Sequence, residues 1–392
     1  MRESVIVGGA RTPFGKFGGG LKDVPAVELG GTAIREAIQR SSLEPSAIEA
    51  VIMGMVLQGG AGQNPARQAA RLAGLDWSVT AETINKVCAS GLRSVTLADQ
   101  MIRSGDAACM AAGGMESMSS APFLLPSTRW GARMGNQTTI DLMVHDGLLC
   151  PFEHVQMFVH GSNVAGEFGL SREEQDEWAF RSHVLAIEAR NKGYFSEEIV
   201  PIVVQAKHGT KLIDHDEGPR EDTSTEKLAA LPALVKGGTI TAGNAPSVND
   251  GAAAMVVMSK DQAFAQGIRS LATIVGHASV GERAPYIAIT PALAIQKVLR
   301  QTGMKLNQIN RFEVNEAFAA VLLTSEQLLG WNPKLVNVSG GAIALGHPIG
   351  ASGARILLTL IHELRRSGGG YGIAAICSGA AQGDAILIRV DG

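Results

Sequence analysis

The chain has 392 residues, enough to bury a sizeable core and to divide into two or three domains. Its formal charge of -3 gives no electrostatic grip on nucleic acid or acidic membranes, and no apolar run reaches the length of a membrane span. Glycine, at 47 residues, stands well above the usual ~7%, so many tight turns and close backbone approaches are expected.

The first predicted element is a short strand, Met1-Arg2-Glu3-Ser4-Val5-Ile6-Val7, which runs straight into a Gly-rich turn without a secretory or presequence pattern. The C-terminal Val390-Asp391-Gly392 is not a peroxisomal address, so a cytoplasmic protein is expected. Next comes Ile84-Asn85-Lys86-Val87-Cys88-Ala89-Ser90-Gly91, where an extended apolar stretch gives way to a helix opened by small residues. This places Cys88 at a helix N-terminus, where the dipole favours thiolate, the form that attacks carbonyls. The other cysteines, at 109, 150 and 377, complete neither C-x-x-C pairs nor zinc-finger spacings, so no metal or disulfide framework is expected. Cys109 and Cys150 read as packing.

Further along, the chain repeats itself. Ala89-Ser90-Gly91-Leu92-Arg93 recurs as Ala351-Ser352-Gly353-Ala354-Arg355, each followed by a helical pattern that stops at Arg103-Ser104-Gly105 or Arg366-Ser367-Gly368. Small-residue strands follow, Ala107 to Ala111 and Ile373 to Cys377, and upstream Ile48 to Met53 matches Ile309 to Val314. Two copies of one strand-helix-strand unit explain this, and they predict an α/β fold with mostly parallel sheets covered by helices. In the second repeat helix Ile356, Leu357, Leu360, Ile361 and Leu364 form an apolar face, with Glu363, Arg365 and Arg366 off it. Between the copies lies a stretch richer in turns and charge. It holds one clear helix, from Ser171 with a capping-box Glu174, through Trp178 and His183, to near Gly193. The expected division is a first core half over 1–117, completed by about 249–268, a loop domain over 118–248 and a second core half over 269–392.

Reactive groups fall at equivalent edges of the two units: Cys88 before the first repeat helix, His347 in the loop before the second, Cys377 at the end of the strand after it, and Asn315 at another strand end. Two cysteines without a metal suit carbon–carbon bond chemistry next to a carbonyl. One thiolate holds an acyl group as a thioester, and the second moves a proton at the α-carbon of another thioester. Such a reaction forms two oxyanions in turn. His347 and a water held by Asn315 could serve one; backbone N–H groups of Cys88 and Gly379 could serve the other.

These residues carry a family resemblance. Ala10-Arg11-Thr12-Pro13-Phe14-Gly15, Asn85 to Gly91, Thr241-Ala242-Gly243-Asn244, Asn249-Asp250-Gly251-Ala252-Ala253, Asn315-Glu316-Ala317-Phe318-Ala319, Asn337 to Gly350 and Cys377 to Gly383 resemble the thiolases over essentially the whole chain. The resemblance implies a five-layer αβαβα core of two duplicated halves with an inserted loop domain. It implies coenzyme A thioesters as substrates and no further cofactor, with Cys88 as the acylated nucleophile, His347 as its activator and Cys377 as acid/base. The similarity is greatest to the subgroup that condenses two acetyl-CoA to acetoacetyl-CoA and coenzyme A, and runs the reverse thiolysis. Broader-chain degradative 3-ketoacyl-CoA thiolases, and a thiolase-fold acyl-CoA or lipid carrier without turnover, are the alternatives. Leu148 and Met157 match acyl-pocket positions and Arg220 matches the arginine near the nucleotide end of coenzyme A. Phe158, His160, Ala242, Pro246, Ile287 and Phe318 complete the implied substrate contacts. The chain departs from the family pattern at Gln156 to Ser162, at Pro246, over Ile287 to Pro291 and at Ala380-Ala381. Family members also imply a homo-oligomer, a dimer of dimers with tetramer contacts around Thr128-Arg129-Trp130-Gly131.

Overall fold

The computed structural model describes residues 2–206 and 209–392. Besides the two-residue strand Gly15–Lys16, which pairs with Asn249 and Asp250, the strands of its main sheet are Ser4–Arg11 (β1), Ala50–Gly54 (β2), Thr80–Ile84 (β3), Cys109–Ser117 (β4), Asn249–Ser259 (β5), Ala272–Gly281 (β6), Arg311–Val314 (β7), Gly370–Ser378 (β8) and Gln382–Val390 (β9). The main helices are Ala26–Arg40 (α1), Pro65–Leu72 (α2), Ser90–Ser104 (α3), Met157–Glu167 (α4), Arg172–Asn191 (α5), Thr290–Thr302 (α6), Ala319–Leu329 (α7) and Ser352–Arg366 (α8).

The duplication read from the sequence is visible in the strand order. The first half runs β1-β5-β4-β2-β3 and the second β6-β9-β8-β7. Val336, bridged in parallel to Phe312, stands where β3 stands in the first half. The halves join edge to edge where Val5 and Ile6 of β1 pair antiparallel with Thr273 and Ala272 of β6. Pairing is parallel at β2/β3, β2/β4 and β7/β8, and antiparallel at the other named junctions. The expectation of mostly parallel sheets is corrected here. Helical crossovers make parallel pairs, but β8 turns into β9 through only Gly379-Ala380-Ala381, and a connection that short permits only an antiparallel partner.

Helices α1 and α2 cover the outer face of the first half and α6 that of the second, while α3 and α8 pack on each other between the halves, which gives five layers. The central position of α8 explains a second correction. A helix with sheets on both sides has no solvent face, so burial runs unbroken from Ser352 to Leu364 and takes in Glu363, which binds Ser339 and Arg366. Leu357, Leu358, Leu360 and Ile361 are each no more than 1% exposed. Burial of each such side chain contributes about 1.5–3 kcal/mol. Arg355 of the same helix is fully buried and its charge is met by Glu313 of β7 at 2.7 Å.

Between β4 and β5 the chain leaves the main sheet. Helix α5 begins as its sequence predicts: Ser171 Oγ accepts from the Glu174 backbone N–H, and the Glu174 carboxylate accepts from Ser171 N–H at 2.8 Å. It ends before Gly193, whose φ is +73°. Helix α4 has no counterpart in the sequence reading. Gly161 and Gly166 interrupt it and His160 to Ser162 are buried together, so it shows no single apolar stripe.

Candidate active site

The loop after β3 is tied so that Cys88 stands at its tip. Asn85 Oδ1 accepts from Val87 N–H at 2.9 Å, Lys86 N–H donates to Ser90 Oγ at 2.7 Å, and Ser90 Oγ donates to Val87 O at 2.7 Å. Val87 is held at φ +45°, a conformation that a β-branched residue adopts only when its surroundings impose it. Those surroundings include the other half of the molecule. Ser378 Oγ donates to Lys86 O at 2.6 Å, and the Lys86 ammonium reaches Asp384 and Ser279. The two halves therefore meet at the loop that carries Cys88.

The backbone N–H groups of Gly379 and of Cys88 itself favour charge on the Cys88 sulfur. Burial weighs more and the thiol is pushed up to about 11, with the Glu116 charge adding to the rise. This corrects the sequence expectation of a thiolate at rest. The helix begins only at Ser90, and desolvation outweighs two amide dipoles. Cys377 is fully buried at the end of β8 and its thiol is raised further, by burial first and by Cys88 beside it.

His347 lines the same cavity as Cys88. Its loop turns at Gly346, φ +107°, and its backbone N–H donates to Asn249 Oδ1 at 2.9 Å. Nδ1 lies 2.6 Å from Ser352 Oγ, and that hydroxyl already donates to Pro348 O at 2.9 Å. The hydroxyl therefore accepts from Nδ1–H, which leaves the lone pair on Nε2. Nε2 has no protein partner. Burial lowers the imidazole to about 3, with Arg355 adding to the effect, so it rests neutral with the Nε2 lone pair unprotonated.

Asparagine 315 follows β7, its N–H donating to Ala375 O at 3.0 Å. Its side chain is fully buried, yet neither Oδ1 nor Nδ2 has a partner. A buried amide left in that state calls for a water or a ligand oxygen.

A cavity of about 360 Å³ opens onto Cys88 and His347. Leu148, Met157, Phe158, Ile287 and Phe318 supply apolar wall, and Ala242, Pro246 and Arg220 line it as well. Of the substrate contacts expected from sequence, His160 alone is not brought to this wall. It is buried within α4 with both ring nitrogens unpartnered and the Glu153 carboxylate 3.8 Å away. Among the described residues no cluster of three or more His, Cys, Asp or Glu side chains is placed to hold a metal.

Residues 4–261 match the family described as Thiolase, N-terminal domain, and residues 268–390 match Thiolase, C-terminal domain. The chain belongs to the thiolase family. It is 47% identical over 392 residues to a protein of Syntrophomonas wolfei named acetyl-CoA acetyltransferase, covering 99% of each chain. The same name and identity hold over 393 residues for a protein of Pseudomonas aeruginosa, covering all of both. A Staphylococcus aureus relative, also 47% identical, over 96% of this chain and 99% of its own, is named probable acetyl-CoA acyltransferase. The crystal structure of the Bacillus anthracis acetyl-CoA acetyltransferase superposes with a TM-score of 0.97 at 41% identity, covering 100% of this chain and 99% of that one.

Two buried carboxylates of this thiolase had no role in the sequence reading. Glu116 accepts from the N–H groups of Val56, Leu57 and Gly350 at 3.0, 3.1 and 2.9 Å, and burial lifts it to about 7. It clamps the His347 loop to the first half, helped by Gly114, where a Cβ would overlap the Gly350 carbonyl. Glu316 accepts from Trp178 Nε1, Ser182 Oγ, Asn337 Nδ2 and Ile343 N–H, and so holds the loop that leads to His347. The available signal was a single charge inside an apolar run, as in Gly113-Gly114-Met115-Glu116.

Proposed function

We propose that this thiolase is an acetyl-CoA C-acetyltransferase that condenses two acetyl-CoA to acetoacetyl-CoA and coenzyme A and catalyses the reverse cleavage. The reading is carried by one observation: Cys88 shares a cavity with His347, whose Nε2 has no partner and keeps its lone pair, while the Gly379 and Cys88 N–H groups favour charge on the Cys88 sulfur. His347 Nε2 takes the Cys88 proton, and the thiolate adds to the acetyl-CoA carbonyl. The tetrahedral oxyanion lies against the two N–H groups, and it collapses to acetyl-Cys88 as coenzyme A leaves. Cys377 gives its thiol proton to the departing coenzyme A thiolate, and the Cys377 thiolate left behind takes a proton from the methyl of a second acetyl-CoA. The resulting enolate oxygen is met by His347 Nε2–H and by a water on Asn315. The enolate carbon attacks the acetyl group, the new carbon–carbon bond forms as the Cys88 thioester bond breaks, and the Cys88 thiolate takes its proton back from His347 Nε2.

The cavity residues Leu148, Met157, Phe158, Arg220, Ala242 and Pro246 all come from 118–248, which supports that stretch as the domain that binds coenzyme A. The broader-chain acyltransferase reading draws on the name of the Staphylococcus aureus relative; the name shared by the Syntrophomonas wolfei and Pseudomonas aeruginosa relatives and the solved structure favours the acetyl reading. The four free cysteines, two of them needed as thiols, go with the reducing cytoplasm. A dimer of dimers is supported by exposed Phe123, Leu124, Leu125, Trp130 and Met134, gathered in one short stretch.

The test is intact-protein mass spectrometry after incubation with acetyl-CoA. Wild type gains one acetyl group and Cys88→Ala gains none, while Cys377→Ala is acetylated but no longer exchanges deuterium into the acetyl-CoA methyl. An adduct that persists in Cys88→Ala, or wild-type exchange in Cys377→Ala, defeats the assignment.

A further inference from the structure

Helix α4 touches the cavity in two ways. Met157 and Phe158 line it directly. One turn beyond Phe158, Gly161 lies behind the wall, where a Cβ would stand 2.6 Å from Ile240 Cδ1 and 2.9 Å from Phe318 Cδ2. Neither separation tolerates a methyl group, so a neighbour must move. Ile240 is fully buried in the core that includes Val164 and Ala165. The backbone at Phe318 is anchored, because Ala319 N–H donates to Asn244 O at 2.9 Å. Asn244 in turn is held by Thr241 N–H at 2.8 Å and Asp176 Oδ1 at 2.9 Å. The Phe318 ring lines the cavity, and the cavity is the empty space next to it.

We infer that Gly161 is a positioning residue that sets the largest acyl group the cavity admits, by leaving the space in which the Phe318 ring lies back against α4. The inference rests on the thiolase reading of this cavity. It makes the helix a gauge with opposed settings: side-chain bulk at 158 fills the cavity, and absence of bulk at 161 enlarges it. A methyl at 161 drives the ring toward the acyl group. Small groups such as acetyl and acetoacetyl still fit, and longer chains meet the ring.

The experiment compares thiolysis of acetoacetyl-CoA and 3-ketohexanoyl-CoA by wild type, Gly161→Ala, Phe318→Leu and the double variant, with thermal unfolding as a check on folding. The expected result for Gly161→Ala is a C4/C6 ratio of kcat/KM raised about tenfold, the discrimination that one or two methylenes bring in an apolar pocket. The double variant is expected to return the ratio to within about twofold of Phe318→Leu alone, a rescue that general destabilisation would not give. A Gly161→Ala chain that folds only together with Phe318→Leu supports the same contact. An unchanged ratio in folded Gly161→Ala, or strictly additive effects, overturns the inference, and so does failure of both Gly161 variants to fold, since Ile240 then bears the strain. The position of the side chain at 318 is read separately in a crystal structure of Gly161→Ala, or of the double variant where only that chain folds. A side chain at 318 that has not moved defeats the inference even where wild type cleaves neither substrate, a result that would instead sink the functional reading.

Discussion

Removal of the Ser352 hydroxyl tests the tautomer on which the proposed activation of Cys88 depends. Ser352 is fully buried and its Oγ stands 2.6 Å from His347 Nδ1 while donating to Pro348 O. In Ser352→Ala the Nδ1–H loses its acceptor in a site that burial has already stripped of water. A buried donor left unpaired costs about 1–3 kcal/mol, and the ring escapes that cost by moving its proton to Nε2. Nε2–H then points where the Cys88 proton must go, and the base is gone. If the whole cost falls on the acylation barrier, the rate constant drops about 5- to 150-fold. The assay is single-turnover acetylation of Cys88 followed by quench and mass spectrometry, with Ser352→Thr as the variant that keeps a hydroxyl and recovers rate. Acylation by Ser352→Ala within twofold of wild type, in a protein with an unchanged unfolding midpoint, refutes the assigned tautomer.

Alkylation of Cys88 by iodoacetamide should accelerate about tenfold per pH unit between pH 7 and 10, because the thiol is raised to about 11 and the thiolate is the reactant; a plateau below pH 9 would show that His347 already holds its proton at rest. His183 is lowered to about 4, by burial and then by Arg220, so the folded imidazole stays neutral while the unfolded one binds a proton below pH 6.5. Its stability contribution is therefore lost as pH falls from 6.5 toward 4, by about 2 kcal/mol at pH 5, and His183→Asn should lose less stability than wild type between pH 7.5 and 5; equal losses in denaturant titrations count against it. Ala380, at φ +61° in the β8–β9 turn, carries a strain that glycine lacks. Ala380→Gly should gain about 0.5–1 kcal/mol in urea unfolding, and no gain would mean that the turn is relaxed.

Local signals were readable in the sequence because their physics is local. The Ser171 to Glu174 capping box fixed where α5 starts, the repeated Ala-Ser-Gly runs marked the starts of α3 and α8, and Cys88, His347, Asn315 and Cys377 each lie at the strand end or helix start that their flanking residues predict. What happens between distant segments could not be read this way. The Ser378 bond to Lys86 spans 292 residues, and no periodicity reports it. Strand direction at β5, β6 and β9 depends on which edges meet in space, and the all-round burial of α8 depends on its lying between the two halves of the sheet. The Cys88 thiol shows the difference most directly. Its place before a helix is a property of ten neighbouring residues and argues for thiolate. Its charge state is set by desolvation, which the fold imposes by packing both halves around the Cys88 loop, and desolvation outweighs the dipoles of two amides.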